Sequence, residues 1–170
     1  FLERVIPVAE EHKVQMACHL PDPPAPVLRG EERWNFPVFE GLKRFSELVD
    51  SPYHGFNFCC GVAAEGLEKP GEELPEIVEY FSSRKKIFNV HFRNIRGGLN
   101  DFVEVWPDEG DVDMFTLAKI FHRTGVVILR RLGVSNASFT YQRVILVEEK
   151  HASGKTLAEA SRSLSVRCPH

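Results

Sequence analysis

Short apolar runs alternate with amphipathic stretches along most of the chain, and this alternation constrains the fold more than any other feature. Each apolar run has the length of a buried strand, and the runs cover 13–20, 55–60, 86–92 and 126–129. The starts of these predicted strands are spaced by roughly 30–40 residues, which leaves room for one helix between neighbours. The alternation therefore predicts a parallel α/β sheet, either a barrel or an open doubly wound sheet.

The stretches between the predicted strands have helical spacing. Apolar residues on one face indicate a helix before the first strand and further helices over 41–49, 73–81 and 111–122. Because proline removes a hydrogen bond inside a helix, Pro7 is expected in the first turn of the first helix. Asp111 is the expected N-cap of the last one. The four prolines of 21–30 predict a long loop, and Gly97 and Gly98 predict another.

Composition excludes several classes of protein. The chain has 170 residues, of which 43% are hydrophobic and 26% charged, as expected for one globular domain and unlike a disordered or collagenous chain. Its apolar runs fall far short of the ~20 residues of a membrane helix, and its charged first residues are unlike a signal peptide. Four cysteines without CxxC spacing predict reduced thiols, so we expect a cytoplasmic protein with no membrane partner.

Charge is distributed unevenly along the chain. Residues 1–113 hold 21 acidic and 12 basic side chains, whereas residues 114–170 hold 3 acidic and 9 basic ones. The formal net charge of −3 argues against a general nucleic-acid binder. Three interpretations of the basic stretch stay open: an arm that binds RNA or a membrane surface, a solvated surface, or a part that does not belong to the same evolved design.

Residues that can bind a metal close the first three predicted strands. His19 ends the first strand, Cys59 ends the second, and His91 lies near the end of the third. Since active sites form at the carboxyl ends of parallel strands, we expect the three side chains to converge. Two imidazoles and a thiolate suit Mn, Fe, Co or Zn, and three ligands leave positions for a substrate. Taken singly, each residue is more simply explained as part of the structure.

The string that follows His91 adds two polar side chains. Arg93 offers a planar guanidinium that suits a carboxylate, and Asn94 can bond to hydroxyl groups. Strand alternation places Arg93 on the same face as His91, although a solvated loop edge is the simpler explanation from the residues alone. No glycine-rich phosphate motif follows any predicted strand, so a nucleotide-binding fold has no support.

Four motifs resemble the mannonate dehydratase family in their order and spacing. The string HLPDPP at 19–24 is similar to the family's His-Pro-Asp-Asp-Pro-Pro loop. The strings at 55–61 and 89–94 resemble its Cys-containing strand and its third ligand strand, and 102–114 resembles the segment that follows. The resemblance covers about residues 1–124. It implies a xylose-isomerase-like TIM barrel, of which four predicted strands make roughly half of the eight βα units.

The resemblance also implies an activity and a site. The activity is that of a hydro-lyase that dehydrates D-mannonate to 2-keto-3-deoxy-D-gluconate in hexuronate catabolism. The implied site holds a divalent metal, usually Mn²⁺ with Fe²⁺ or another ion as alternatives, on His19, Cys59 and His91. Arg93 and Asn94 are implied contacts of the sugar acid. No string matches the family's Pro-Asp-His ligand or its downstream Tyr, so the acid and base of the reaction stay unassigned.

These observations predict two parts in the chain. We expect residues 1–124 to be the metal-binding part of a barrel and residues 125–170 to be an unmatched basic tail, frameshifted or disordered. The first residue is not Met, so we expect a fragment of a longer enzyme, inactive or weakly active alone, whose complete form is a candidate homo-oligomer. Two alternatives stay open: another metal-dependent sugar or sugar-acid isomerase on the same barrel, and a non-catalytic protein with a binding tail.

Overall fold

The computed structural model describes residues 1–126, which form a parallel sheet, two hairpins and five helices. In chain order the elements are α1 (Leu2–Glu11), β1 (Met16–His19), β2 (Val27–Leu28), β3 (Glu31–Glu32), α2 (Val38–Glu47), β4 (His54–Cys59), α3 (Cys60–Glu65), α4 (Pro70–Ser83), β5 (Ile87–His91), β6 (Asn94–Gly98), β7 (Asp101–Val105) and α5 (Met114–Thr124). Strands β1, β4 and β5 pair in parallel in the order β1-β4-β5. The predicted parallel α/β architecture is therefore confirmed.

The register of the parallel sheet places five polar side chains in two neighbouring rows. His19 pairs with Asn57 on the next strand, and Asn57 pairs with Asn89 on the strand beyond. One step further along the same face, Cys59 pairs with His91. Side chains two residues apart in a strand share a face, so Asn57 and Asn89 lie one row below the pair that ends the strands.

The core lies between this sheet and the helices that cover it. Strand β4 is the central strand, and five of its six residues are buried, as a strand covered on both faces requires. The rings of Phe56 and Phe81 meet edge to face, with their centroids 5.3 Å apart. Helix α4 packs against α5, and α3 against α4 and β6. Because the three strands are parallel, their carboxyl ends lie at the same edge of this packed sheet.

Helix α1 differs from the expectation at its start. It begins at Leu2, so Pro7 lies inside the helix and not in its first turn. The missing N–H of Pro7 costs one backbone hydrogen bond. Ile6 and Ala9, on the other side of the helix, are buried. An amphipathic helix tolerates this loss when its apolar face is covered.

The last helix and the loop before it also differ from the expectation. Asp113, and not Asp111, is the N-cap of α5, because its carboxylate accepts hydrogen bonds from the N–H groups of Phe115 and Thr116. Asp111 instead accepts a hydrogen bond from the N–H of Gly97 at 2.8 Å. Both aspartates precede the same apolar pattern, so the sequence alone does not distinguish them.

The predicted glycine loop is a strand. Gly97 and Gly98 end β6, which pairs antiparallel with β7 in a hairpin. Gly97 has a φ of 98°, and a Cβ there would lie 2.2 Å from the carbonyl oxygen of Asp101, so only glycine allows this close pairing. The predicted loop over 21–30 likewise contains β2 of the first hairpin.

Two sequence predictions fall beyond the part of the chain that the structure describes. The strand predicted over 126–129 and the tail predicted over 125–170 lie outside it, except for Gly125 and Val126. Gly125 caps α5 in the left-handed conformation. Within residues 1–126 no helix has the length and apolar character of a membrane span.

We expect Asp113→Ala to lower the free energy of unfolding by about 1 kcal/mol, because it removes the acceptor for two N–H groups at the start of α5. Urea unfolding of the full chain followed by circular dichroism measures the change. Asp113→Asn is the matched control, since it keeps a capping oxygen and should lose much less. Equal losses in the two variants would contradict the cap assignment.

Candidate metal centre

His19, Cys59 and His91 meet at the carboxyl end of the parallel sheet. Each offers one ligand atom, and these atoms all lie within 4.8 Å of one another. Each residue is the last of its strand, β1, β4 or β5, so the convergence that the sequence predicts is observed. Cys59 is buried, His91 is half-buried and His19 is exposed, so the group is open to solvent on the side of β1.

The ring of His19 is oriented by the backbone of the next residue. Its Nδ1 lies 2.6 Å from the carbonyl oxygen of Leu20. A carbonyl oxygen only accepts, so Nδ1 carries the proton and Nε2 presents a lone pair. That Nε2 lies 3.0 Å from Nδ1 of His91. A histidine whose second N–H is held by a carbonyl is the usual arrangement for a metal ligand.

The donor set and its spacing fit a divalent metal. Two imidazoles and one thiolate are ligands that borderline transition metals prefer. Bonds of about 2.1 Å to nitrogen and about 2.3 Å to sulfur place two of these donors at most about 4.4 Å apart, slightly less than the spread of this group. His19, Cys59 and His91 could therefore hold one ion after a small closure of the group, and their role as ligands stays a prediction.

Arg93 lies beside this group and is held by three carboxylates. Its guanidinium donates to Oε1 of Glu65 at 2.5 Å, and it lies 3.3 Å from a carboxylate oxygen of Glu104 and 3.7 Å from one of Asp22. Burial alone would lower the pKa of Arg93, but the negative charges of Glu65, Cys59 and Glu104 together raise it. The guanidinium therefore stays charged next to the sulfur of Cys59.

The packing around Arg93 leaves it little freedom. Its side chain is 13% exposed, and a Cβ at Gly61 would lie 2.8 Å from its Cγ and Cδ atoms. The glycine at the start of α3 therefore makes room for the arginine stem. Arg93 lies at the site as the sequence predicts, with much of its guanidinium already committed to carboxylates. Its contact with a substrate stays a prediction.

Asn94 lies in the interior and not at the edge of the metal group. Its Nδ2 donates to the carbonyl oxygens of Pro107 and Val112, at 2.8 and 2.9 Å. Its Oδ1 accepts from the N–H of Ile95 at 2.9 Å. Both amide protons are used, and the side chain anchors the loop that leads to α5. The role of Asn94 as a substrate contact stays a prediction, and this geometry does not favour it.

Sequence reasoning missed Glu65, which is buried at the edge of the site. Its side chain has no exposed surface, and its Oε2 has no hydrogen-bond partner among residues 1–126. Burial raises the pKa of the Glu65 carboxyl to about 7; Arg93 opposes this rise, and Asp22 and Glu104 add to it. The sequence signal for this buried carboxyl is the single acidic residue that follows the run of small apolar residues 61–64.

The fold and the site together define part of a (β/α) barrel. Parallel strands flanked by helices carry their polar side chains at the carboxyl ends, as barrels of this kind do. Comparison with known proteins identifies which barrel it is. The family model for D-mannonate dehydratase (UxuA) matches residues 1–161, so the chain belongs to this family. The match extends past Thr124, where the motif resemblance ended.

Individual relatives support the same assignment. The mannonate dehydratase of Thermotoga petrophila is 36% identical over 132 residues, and that of Shouchella clausii is 37% identical over 128 residues. Each match covers 74% of this chain and 34% of the relative. The crystal structure of mannonate dehydratase from Streptococcus suis serotype2 superposes with a TM-score of 0.65 at 31% identity, covering 73% of this chain and 35% of that one. The chain spans about a third of the length of these relatives.

We expect the stability of the full chain to fall as pH rises from about 5 to about 7, because of Glu65. Its carboxyl titrates near 4.5 when unfolded and at about 7 when folded, so the folded state holds the proton more strongly in this window. Glu65→Gln resembles the protonated form and should remove this loss, on the order of 2 kcal/mol. Urea unfolding at pH 5 and pH 7.5 measures the difference.

The exposed Glu68 supplies the control for this experiment. Glu68→Gln removes the same charge three residues further along and should keep the pH dependence of the original chain. If the unfolding free energy of Glu65→Gln falls with pH as steeply as that of Glu68→Gln, the buried carboxyl is not the cause of the pH dependence.

Proposed function

We propose that the chain is part of a metal-dependent D-mannonate dehydratase, which converts D-mannonate to 2-keto-3-deoxy-D-gluconate and water in hexuronate catabolism. Membership of the family supports this activity, and the convergence of His19, Cys59 and His91 is the structural observation that carries it. Because the chain spans about a third of its relatives, the activity is proposed for a longer protein. We place that protein in the cytoplasm, acting on a sugar acid and on neither nucleic acid nor membrane.

His19, Cys59 and His91 would hold the metal, with Mn²⁺ or Fe²⁺ as the ions that the family resemblance implies. When bound, a divalent ion supplies Lewis-acid stabilisation of the negative charge that develops on the substrate oxygens. The chain contributes a platform in which the carbonyl of Leu20 orients one imidazole. The burial of Cys59 keeps competing water from its sulfur.

Arg93 is the candidate contact for the carboxylate of the sugar acid. Its planar guanidinium suits that group, and it lies next to the metal residues. The acids that surround it already balance its charge, so a substrate carboxylate would have to displace Asp22 or Glu104, the two more distant partners. Glu65 would stay bonded and hold the arginine in place during this exchange.

The dehydration also requires two proton transfers. A base must take the C2 proton, and an acid must protonate the leaving C3 hydroxyl. The family's Pro-Asp-His and Tyr strings have no match in this sequence, and we assign neither role to residues 1–126. The isolated chain is therefore proposed to bind metal and substrate while turning the substrate over weakly or not at all.

The metal assignment predicts one divalent ion per chain. Titration with Co²⁺ should develop a thiolate-to-cobalt charge-transfer band, because a coordinated sulfur absorbs where oxygen and nitrogen ligands do not. Cys59→Ser should remove the band, and His91→Ala should weaken the affinity by more than about tenfold through loss of one ligand. Cys18→Ala is the matched control and should leave both unchanged. An unaltered band in Cys59→Ser would refute the ligand set.

The substrate assignment predicts that the Mn²⁺-loaded chain binds D-mannonate. Calorimetric titration should give an affinity that falls at least tenfold in Arg93→Lys, because lysine lacks the planar fork that suits a carboxylate. D-xylose, which carries no carboxylate, is the control ligand and should not bind. Binding of the aldose without binding of D-mannonate would instead support a sugar isomerase on the same barrel.

A further inference from the structure

We propose that Asn57 and Asn89 are positioning residues that determine which ring nitrogen of His91 carries the proton, and so which one is free for a metal. The inference rests on the proposed metal-binding function and deepens it. The two asparagines lie side by side on β4 and β5, each two residues before a proposed ligand, Cys59 or His91.

Asparagine is unusual at these places. Asn is depleted in strands, and here Asn57 lies on the buried central strand β4 while Asn89 is exposed on β5. Asn57 is the one residue of β4 that is not fully buried, since the other five are. It lies between His19 on one neighbouring strand and Asn89 on the other. Two adjacent amides on the face that carries the site therefore indicate a role in the site.

In both amide hydrogen bonds the donor lies on the side of Asn89 and the acceptor on the side of His91. Nδ2 of Asn89 donates to Oδ1 of Asn57 at 3.0 Å. With its oxygen turned to Asn89, Asn57 presents Nδ2 to Nε2 of His91 at 3.2 Å. An amide nitrogen only donates, so Nε2 of His91 accepts and the proton of the neutral ring lies on Nδ1.

The direction continues through the second imidazole. Nδ1 of His91 donates to Nε2 of His19 at 3.0 Å, and Nδ1 of His19 donates to the carbonyl of Leu20 at 2.6 Å. Five groups thus form one ordered chain of hydrogen bonds from Asn89 to Leu20. The Leu20 carbonyl can only accept and fixes one end, and the Asn89 amide, which can donate or accept, forms the other.

This order keeps a proton between the two nitrogens that face each other. If Nε2 of His19 and Nδ1 of His91 were to hold a metal, that proton would have to leave Nδ1. The neutral ring then carries its proton on Nε2. That N–H would face Nδ2 of Asn57, which is also a donor, unless the Asn57 amide turns over. Turning it presents Oδ1 to His91 and Nδ2 to Asn89, which must turn as well. The amide pair therefore has two consistent arrangements, and only one of them leaves Nδ1 of His91 free.

The test exploits the fact that a carboxylate cannot donate. Asn89→Asp places an acceptor beside Asn57, so the Asn57 amide should turn its Nδ2 toward the new carboxylate and its Oδ1 toward His91. The substitution does not touch the histidine, yet it should move the ring proton from Nδ1 to Nε2. Nitrogen-15 chemical shifts of His91 at pH 8, without metal, distinguish the two tautomers.

We expect the Nδ1–H tautomer in the original chain and the Nε2–H tautomer in Asn89→Asp. Asn100→Asp adds the same charge at an exposed position of the β6–β7 turn and should keep Nδ1–H. Asn57→Leu should lose the response, so that adding Asn89→Asp to it changes nothing. An Nε2–H ring in the original chain, or an unchanged tautomer in Asn89→Asp, would overturn the proposal.

The Co²⁺ titration separates this inference from the function on which it rests. Asn89→Asp is expected to raise Co²⁺ affinity severalfold, whereas the distant Asn100→Asp should not. Co²⁺ binding to the original chain with no change of tautomer in Asn89→Asp would refute the role of the amides and leave the metal site intact. A changed tautomer with no Co²⁺ binding by any of these proteins would refute the metal function and leave the amide ordering established.

Discussion

The parallel register of β1, β4 and β5 is the constraint on which the rest of the structure depends. Backbone hydrogen bonds set Cys59 opposite His91 and Asn57 opposite both His19 and Asn89. Residues far apart in the chain reach one small volume because each is the last, or nearly the last, residue of its strand. A slip of one residue would turn every side chain of that strand to the other face and disperse the group.

Periodicity and strand ends predicted the parallel sheet and the meeting of His19, Cys59 and His91, because both follow from rules that act along the chain. Features that depend on tertiary packing were not predictable in this way. The burial of Glu65 arises from its neighbours in α3 and from Arg93, and the interior position of Asn94 follows from a loop that folds back on it. Capping by Asp113 and not Asp111 depends on the hydrogen bond by which the hairpin residue Gly97 engages Asp111, and periodicity does not contain that contact.

Arg93 both connects the segments around the site and sets the charge next to Cys59. Arg93 connects the loop after β1 through Asp22, helix α3 through Glu65 and the β6–β7 hairpin through Glu104. One cation thus joins three segments that no secondary structure connects, and the same charge lies next to a sulfur that must be a thiolate to bind metal. An uncharged residue here would loosen the segments and leave a buried carboxylate without its partner.

The direct passage from β4 into α3 has a consequence for how such a chain can vary in length. Cys59 ends the strand and is also the N-cap of the helix that begins at Cys60, so no connecting loop lies between them. An insertion or deletion at this joint has nowhere to be absorbed, and it would rotate the cysteine away from both histidines. Changes in length can be accommodated instead in the β2–β3 turn and in the β6–β7 turn, where Arg29, Gly30 and Asn100 are exposed. Cys59 is thus the member of the group whose place in the chain can shift least.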